Sequence, residues 1–326
     1  ITLCVPTPLN QKREPDLTLL LSAAKGIAPF LSNETLVVTE STSYPGTLRN
    51  EIIPIVNKLK PRMSKKVYFA SAPERVNPGD ALWNQKNTPR LFAGLTPQAT
   101  QMAREFYSTF CDNLIEVSSP EVAEAAKLFE NTFRQVNIAL VNELAQISHA
   151  LGIDVRETLD AANTKPYGFM KFTPSAGVGG HCIPVDPSYL ADVAEKAGVE
   201  ATFIKRANEV NLDMPKYIAG RIAKDNGGSV KGKKVLVVGV AYKPNVADTR
   251  ETPAELLIDA LNDLGAVVTW NDPVVGSWHG SESSPLSGAD IAVVVTKHEV
   301  VASEDILKSA PYVFDTTGKV KGAVQL

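Results

Sequence analysis

Cysteine is scarce in this 326-residue chain. Cys4, Cys111 and Cys182 form neither an even disulfide framework nor a C-x-x-C pair, which suits a reducing compartment and makes the cytoplasm the expected location. Long apolar runs are missing as well. Stretches such as "VLVVGV" and "IAVVVT" fall far short of the roughly 18 residues a membrane span needs, and read as buried strands. Charge of one sign is not in excess. A net charge of -3 gives no field for nucleic acid or an anionic membrane, so any bound anion must be held by a local site. His149, His279 and His298 have no ligand-like spacing to a second cysteine, which leaves only the adjacent His181 and Cys182 and disfavours a metal site. Residues 1–118 also lack G-x-G-x-x-G, the usual dinucleotide fingerprint. Because the chain opens inside the apolar run "ITLCVPTP", it is expected to be cut at its N-terminus, with one nucleotide-binding half upstream.

What is present is enough for a sizeable core. With 44% hydrophobic and 21% charged residues, the chain is globular and should divide into about two or three domains. Up to residue 118 the apolar runs "ITLCV", "TLVVTES", "KVYFASAPE", "RLFAGL" and "NLIEV" alternate with helix-like stretches around 16–30, 47–59 and 96–110. That alternation predicts α/β architecture with a parallel sheet. A long helix follows from "SSPEVAEAAKLF", with Ser118 and Glu121 as a capping box and Pro120 in the first turn. About thirty residues of helix span roughly 45 Å, enough to connect two domains. Beyond a glycine-rich stretch, Asp186 reads as the N-cap and Pro187 as the first residue of another helix. From about residue 214 a second α/β unit appears, with strand "KKVLVVGVAY", a helix capped by Thr252 and Glu255, and strands "AVVTWND", "DIAVVVT" and "YVFDTT". The expected division is 1–118, 119–213 and 214–326.

The stretch "GVGGHCIPVD", residues 177–186, holds the most suggestive chemistry. A thiol at Cys182 shortly before a helix start has its thiolate favoured, and glycines allow close backbone approach. Free cysteine is also among the most buried residue types, so local chemistry leaves a reactive and a structural thiol equally open. Asp186 is explained as a cap, with a role beside the thiol compatible. Lys127 and Asn131, four apart, share one face of the long helix, and the small apolar setting "AAKLF" points Lys127 toward a cavity rather than a solvated face. Glu74 and Thr42 end strands of the first sheet, where catalytic groups gather and where caps and turns are also common. The loop "KPNVADTRE", with Lys243 and Arg250, occupies the corresponding position in the second unit.

Taken in order, "VPTPL", "STSYPGT", "APERVNPGD", "KLFENTFRQVNIALVNE", "GVGGHCIPVDP" and "GVAYKPNVADTRETPA" resemble the nucleotide-sugar 6-dehydrogenase family over essentially the whole chain. The resemblance implies two Rossmann-like doubly wound domains joined by a long central helix that builds a homodimer or higher homo-oligomer, the first domain incomplete here. It implies NAD as cofactor and a UDP-sugar as substrate, with oxidation of the sugar C6 alcohol to a carboxylate through a cysteine thioester. By match of motifs, Cys182 is the nucleophile, and Lys127 and Asn131 stabilise the oxyanion and hold a water. Asp186 handles protons with Lys127, Glu74 serves thioester hydrolysis, and Thr42 binds the water near the nicotinamide. Arg75, Val76, Phe169, Met170, Gly179, Lys243 and Arg250 join Glu74, Lys127 and Asn131 on the substrate. Pro6, Thr7, Thr42, Glu74 and Cys182 lie against the cofactor. The loop "NTKPYGFMKF" is most similar to the UDP-N-acetylglucosamine branch, so UDP-N-acetylglucosamine is the expected substrate, with UDP-glucose or UDP-N-acetylmannosamine as alternatives. A UDP-sugar-binding fragment without redox chemistry is the contrasting reading, and a cysteine hydrolase using His181 is disfavoured because adjacent residues rarely face each other.

Overall fold

The computed structural model describes residues 1–61, 66–77 and 82–326, so the end of "APERVNPGD", residues 78–80, lies outside the described residues. The chain forms two compact units, Ile1–Phe133 with Val185–Ala201, and Arg134–Pro184 with Thr202–Leu326.

In the first unit all five apolar runs become strands: β1 (Thr2–Leu3), β2 (Thr35–Thr39), β3 (Val67–Ser71), β4 (Arg90–Gly94) and β5 (Leu114–Glu116), hydrogen-bonded in that order. Alternation along each strand sends neighbouring side chains to opposite faces. Val37 therefore packs with Leu20, Ile52, Val56 and Leu128, whereas Val38 packs with Phe92, Ala103 and Tyr107. Helices α1 (Thr18–Ile27) and α2 (Ile53–Leu59) cover the first face, and α3 (Pro97–Ser108) the second. Full burial of a residue such as Leu20 stabilises by about 2 kcal/mol. The expected α/β architecture with parallel sheets is observed, with one antiparallel pairing in the first sheet. β3 and β4 pair antiparallel, Ala70 opposite Gly94, while the other neighbours are parallel. Parallel neighbours need a long crossover, usually a helix, and none lies between β3 and β4 among the described residues.

Helix α4 (Pro120–Leu151) has 32 residues, about 48 Å at 1.5 Å each. Its cap is Ser119, whose Oγ accepts from the Val122 N–H at 3.4 Å, one residue beyond the expected Ser118. Pro120 in the first helical position fixes that register. Helix α5 (Val155–Ala162) follows, capped by Asp154.

Helix α6 (Asp186–Lys196) brings a correction: Val185 occupies the cap position, and Asp186 is the first helical residue. Helix α7 (Thr202–Asp225) carries an internal proline, Pro215, and leads into the second sheet. That sheet contains β6 (Lys234–Val238), β7 (Val267–Asn271), β10 (Ile291–Val294), β11 (Tyr312–Asp315) and β12 (Val324–Gln325). The small strands β8 (Ser277–Trp278) and β9 (Ser281–Glu282) form a separate hairpin. The order β12-β11-β10-β6-β7 is parallel throughout. The chain steps from β6 outward to β7, then returns to the other side of β6 as β10. This reversal is the switch point at which open α/β sheets bind ligands. Gly239, just past β6, has φ +83°, and a Cβ there would lie 1.9 Å from the Thr296 carbonyl oxygen. Only glycine lets this exit pass the end of β10.

Helix α8 (Pro253–Asp263) is capped as expected by Thr252, whose Oγ1 accepts from the Ala254 N–H at 3.3 Å. Glu255 instead faces His279 at 3.3 Å. Helix α9 (Ser303–Ser309) completes the unit, and no described helix is long and apolar enough to cross a membrane.

Candidate active site

Helix α4 carries a line of buried polar residues in the first unit: Glu124, Lys127 and Asn131, at 2%, 8% and 8% exposure. Spacings of three and four keep them on one face. The Asn131 amide donates to Asp186 Oδ2 at 2.5 Å. Asp186 is 2% exposed, and burial pushes its carboxyl up to about 7, against the opposing pull of the Asn131 hydrogen bond and the Lys127 charge. Asn131 is thus hydrogen-bonded to this buried carboxyl, and Lys127 lies within its field.

Glu124 was not singled out by the sequence, although an acidic residue flanked by alanines is a readable signal. It accepts from the Gly46 N–H at 2.7 Å and the Leu48 N–H at 3.3 Å. These bonds anchor the start of the helical stretch that runs through a π turn, Leu48–Ile52, into α2. Burial pushes the Glu124 carboxyl up to about 8, the two backbone N–H groups working against it.

Thr42 and Glu74 both follow carboxyl ends of parallel strands, as expected, and Thr7 joins them. Thr7 Oγ1 donates to the Thr42 carbonyl at 2.7 Å, and the Glu74 N–H donates to the Glu40 carbonyl at 3.1 Å. Thr42 is half-buried and Pro6 exposed. Next to Thr42, the Ser43 hydroxyl is buried without a hydrogen-bond partner among the described residues. A hydroxyl in need of a partner, beside Thr7 and Thr42 on the edge where such sheets hold cofactors, fits the polar nicotinamide end of NAD.

Glu74 has the cap and ion-pair setting that strand-end glutamates often have. Its Oε1 accepts from the Arg75 and Val76 N–H groups at 2.7 and 2.8 Å, and its Oε2 pairs with Arg90. Burial raises the Glu74 pKa, but the Val76 N–H and Arg90 outweigh it and the net direction is down. Arg75 pairs with Glu130 at 2.7 Å and donates to the Pro89 carbonyl at 2.7 Å, so its guanidinium is engaged within the fold. Arg90 is the larger omission of the sequence reading. It is 3% exposed, lies 3.6 Å from Glu40, and stacks over the Tyr107 ring at 4.9 Å. An arginine opening an apolar strand run, "RLFAG", is the signal that identifies it.

In the second unit, Cys182 is an exposed cysteine outside any disulfide. The glycines before it pack closely against the loop after β6. A Cβ on Gly179 would meet Tyr242 Cβ at 2.8 Å and the Glu251 carbonyl at 2.9 Å, and one on Gly180, at φ +89°, would meet the Tyr242 ring at 2.8 Å. The Gly180 N–H donates to the Arg250 carbonyl at 2.9 Å. The glycines therefore dock the cysteine loop onto the loop after β6. This contact brings Cys182 within electrostatic range of Tyr242 and Arg250. Arg250 Nε donates to both Asp248 oxygens at 3.0 Å, and its pKa is raised chiefly by Asp248. His181 is half-buried, and burial followed by the Arg250 charge lowers its pKa. Lys243 is half-buried in the same loop, Phe169 and Met170 are exposed, and no metal-binding cluster occurs among the described residues.

Three segments match domains of the UDP-glucose/GDP-mannose dehydrogenase family: the NAD-binding domain over residues 1–111, the central domain over 121–213 and the UDP-binding domain over 236–322. A UDP-N-acetyl-D-mannosamine dehydrogenase of Methanococcus maripaludis is 35% identical over 330 residues, covering 96% of this chain and 74% of the relative. A UDP-N-acetyl-D-glucosamine 6-dehydrogenase of Pseudomonas aeruginosa is 36% identical over 278 residues, covering 84% of this chain and 65% of the relative. The solved UDP-D-ManNAc dehydrogenase from Pyrococcus horikoshii superposes with a TM-score of 0.86 at 32% identity, covering 99% of this chain and 79% of that one.

Proposed function

This chain belongs to the UDP-glucose/GDP-mannose dehydrogenase family of NAD-dependent nucleotide-sugar dehydrogenases, and from that premise we propose that it oxidises a UDP-N-acetylhexosamine at C6. Residues 1–118 serve NAD, 119–213 supply the central helices and the cysteine loop, and 214–326 hold the UDP-sugar. The loop "KPYGFM" favours the N-acetylglucosamine substrate, while the mannosamine dehydrogenases among the relatives favour its C2 epimer. Both share the N-acetylated sugar and the reaction at C6.

The observation that carries this reading is the buried Asp186 carboxyl, hydrogen-bonded by Asn131 at 2.5 Å within the field of Lys127, a setting that pushes it up to about 7. A group whose pKa lies near the working pH is suited to moving a proton in either direction. Asp186 acts with Lys127 in removing the C6 hydroxyl proton, and the Lys127 ammonium and Asn131 amide stabilise the negative oxygen. Bound NAD supplies the hydride acceptor for both oxidations, two cofactors being reduced per sugar. Cys182 adds to the C6 aldehyde as a thiohemiacetal, becomes a thioester in the second oxidation, and is released by water as the carboxylate forms. Arg250 lies within electrostatic range of this thiol. Glu74, held ionised by Arg90 and two backbone N–H groups, orients the hydrolytic water with Thr42 as a hydrogen-bond acceptor. Pairing of two chains through α4 is supported by exposed apolar residues at heptad-like spacing: Val122, Phe129, Phe133, Leu140, Ile147 and Leu151. The cytoplasm supplies the reduced thiol and the soluble substrates.

The test is a panel of UDP-N-acetylglucosamine, UDP-N-acetylmannosamine and UDP-glucose with NAD, following absorbance of the reduced cofactor. The expected result is two reduced cofactors per N-acetylated sugar. Binding of UDP-sugar with no reduction on any of the three overturns the reading. A Cys182→Ser variant that forms a covalent ester only in the presence of NAD separates the dehydrogenase from a cysteine hydrolase.

A further inference from the structure

Lys243 follows β6 in a turn that ends at Asn245, whose φ of +63° is left-handed. That conformation is disfavoured for most residues with a Cβ, asparagine being the best tolerated, and it persists where neighbours determine it. Here they do. The Asn245 N–H donates to His298 Nδ1 at 2.9 Å, and the Glu299 N–H donates to Asn245 Oδ1 at 3.0 Å. The other ring nitrogen of His298, Nε2, lies 2.9 Å from Asp272 Oδ2. A backbone N–H only donates, so Nδ1 carries no proton and Nε2 carries the one given to Asp272. The tautomer is set by its two partners.

His298 and Asp272 are 1% and 0% exposed. Asp272 Oδ2 also accepts from the Val240 and Ala241 N–H groups at 2.8 and 3.0 Å, and Oδ1 from Val274 and Val275, both at 3.0 Å. Burial opposes its charge, but the bonds from His298, Ala241 and Val275 prevail and hold the carboxyl down at about 2. The anchor thus ties together the carboxyl ends of β6, β7 and β10, at the reversal of strand order. This is where the fold places a ligand.

We infer that Asp272 and His298 are positioning residues for Lys243: the carboxylate fixes the imidazole, the imidazole fixes the Asn245 backbone, and the turn presents the Lys243 ammonium to the diphosphate of the nucleotide sugar. The inference rests on the UDP-binding role proposed for residues 214–326. His298 is not a general base in this arrangement, because its acceptor nitrogen holds a backbone N–H. A carboxylate that orients a histidine is used elsewhere to aim a nucleophile. Here it aims a loop.

The test is a double-mutant cycle on UDP affinity, measured by calorimetry at fixed salt on the whole chain, with His298→Gln, Lys243→Met and both together. His298→Gln keeps a donor toward Asp272 at the Nε2 position and leaves no acceptor at the Nδ1 position that the Asn245 N–H meets, its amide oxygen lying farther along the side chain. The expected results are a weakening of about tenfold for His298→Gln, and a double variant within about twofold of Lys243→Met, since the anchor acts through that lysine. Amide hydrogen exchange over residues 243–246 is expected to accelerate in His298→Gln. His298→Asn restores an acceptor near the Nδ1 position and is expected to bind within about threefold of wild type. Independent, multiplying effects overturn the inference, as does wild-type affinity in His298→Gln. If His298→Gln does not fold, a tenfold loss in His298→Asn overturns it instead. Absence of UDP binding by the wild-type chain overturns the UDP reading and the purpose given to the anchor, and the exchange rates then show separately whether the anchor holds the turn.

Discussion

Asp186 in the first unit and Asp272 in the second are 2% and 0% exposed, yet one carboxyl is pushed up to about 7 and the other held down at about 2. Burial raises both. The two differ in how deeply the carboxyl is sunk, Asp186 being the deeper, and in the supply of fixed donors. Asp186 has the Asn131 amide and the field of Lys127, whereas Asp272 has four backbone N–H groups and His298. A buried carboxyl with few donors exchanges its proton near neutral pH, and one saturated with donors becomes a permanently charged anchor. The first suits chemistry and the second suits architecture.

The largest expected effect that sharpens this contrast is on turnover. Asp186→Asn should lower kcat by about a thousandfold with the melting temperature unchanged or raised, measured by steady-state kinetics and calorimetry. Asp272→Asn should do the reverse, destabilising the chain by about 3 kcal/mol in urea because donors are left facing an amide. Stability against pH should separate the two in sign. Asp186 has a folded pKa above its ordinary 3.8, so its contribution is complete below that value and is lost as pH rises toward about 7. Asp272 has a folded pKa below 3.8, so its contribution is complete above that value and is lost as pH falls toward about 2. Wild type minus Asp186→Asn should therefore show a decline of roughly 3 kcal/mol between pH 4 and 7, read from urea midpoints. Asn131→Leu removes the amide donor and should move the Asp186 limb of the rate profile to higher pH by about one unit. The smallest effect belongs to an exposed pair. Glu255→Gln, opposite His279, should change stability by less than about 0.5 kcal/mol, and a larger value would break the claim that burial sets the scale.

Much of the fold was legible because periodicity and length identify buried strands and capped helices. The five runs of the first sheet and the Thr252 cap are such local features. Strand direction is not local, which is why the antiparallel pairing of β3 with β4 escaped the sequence. Asp186-Pro187 marked a helix start, yet whether aspartate caps it or begins it turns on one residue of register. Of the candidate site residues, Lys127, Asn131 and Asp186 fall together in the first unit, while the contact of the glycines with Tyr242, more than sixty positions away, is one that no local pattern announces. Arg90, Glu124 and the Asp272–His298 pair were missed because a single ionisable residue in an apolar run gives its position but not its partner.

The account turns most directly on whether Asp186 holds a proton near neutral pH. Carbon-13 NMR titration of aspartate-labelled protein, with Asp186→Asn and Asp272→Asn assigning the two signals, measures it. The account predicts that the Asp186 carboxyl titrates near 7 while the Asp272 carboxyl stays ionised down to about 2. Titration of Asp186 near 4, alongside ordinary aspartates, would contradict it.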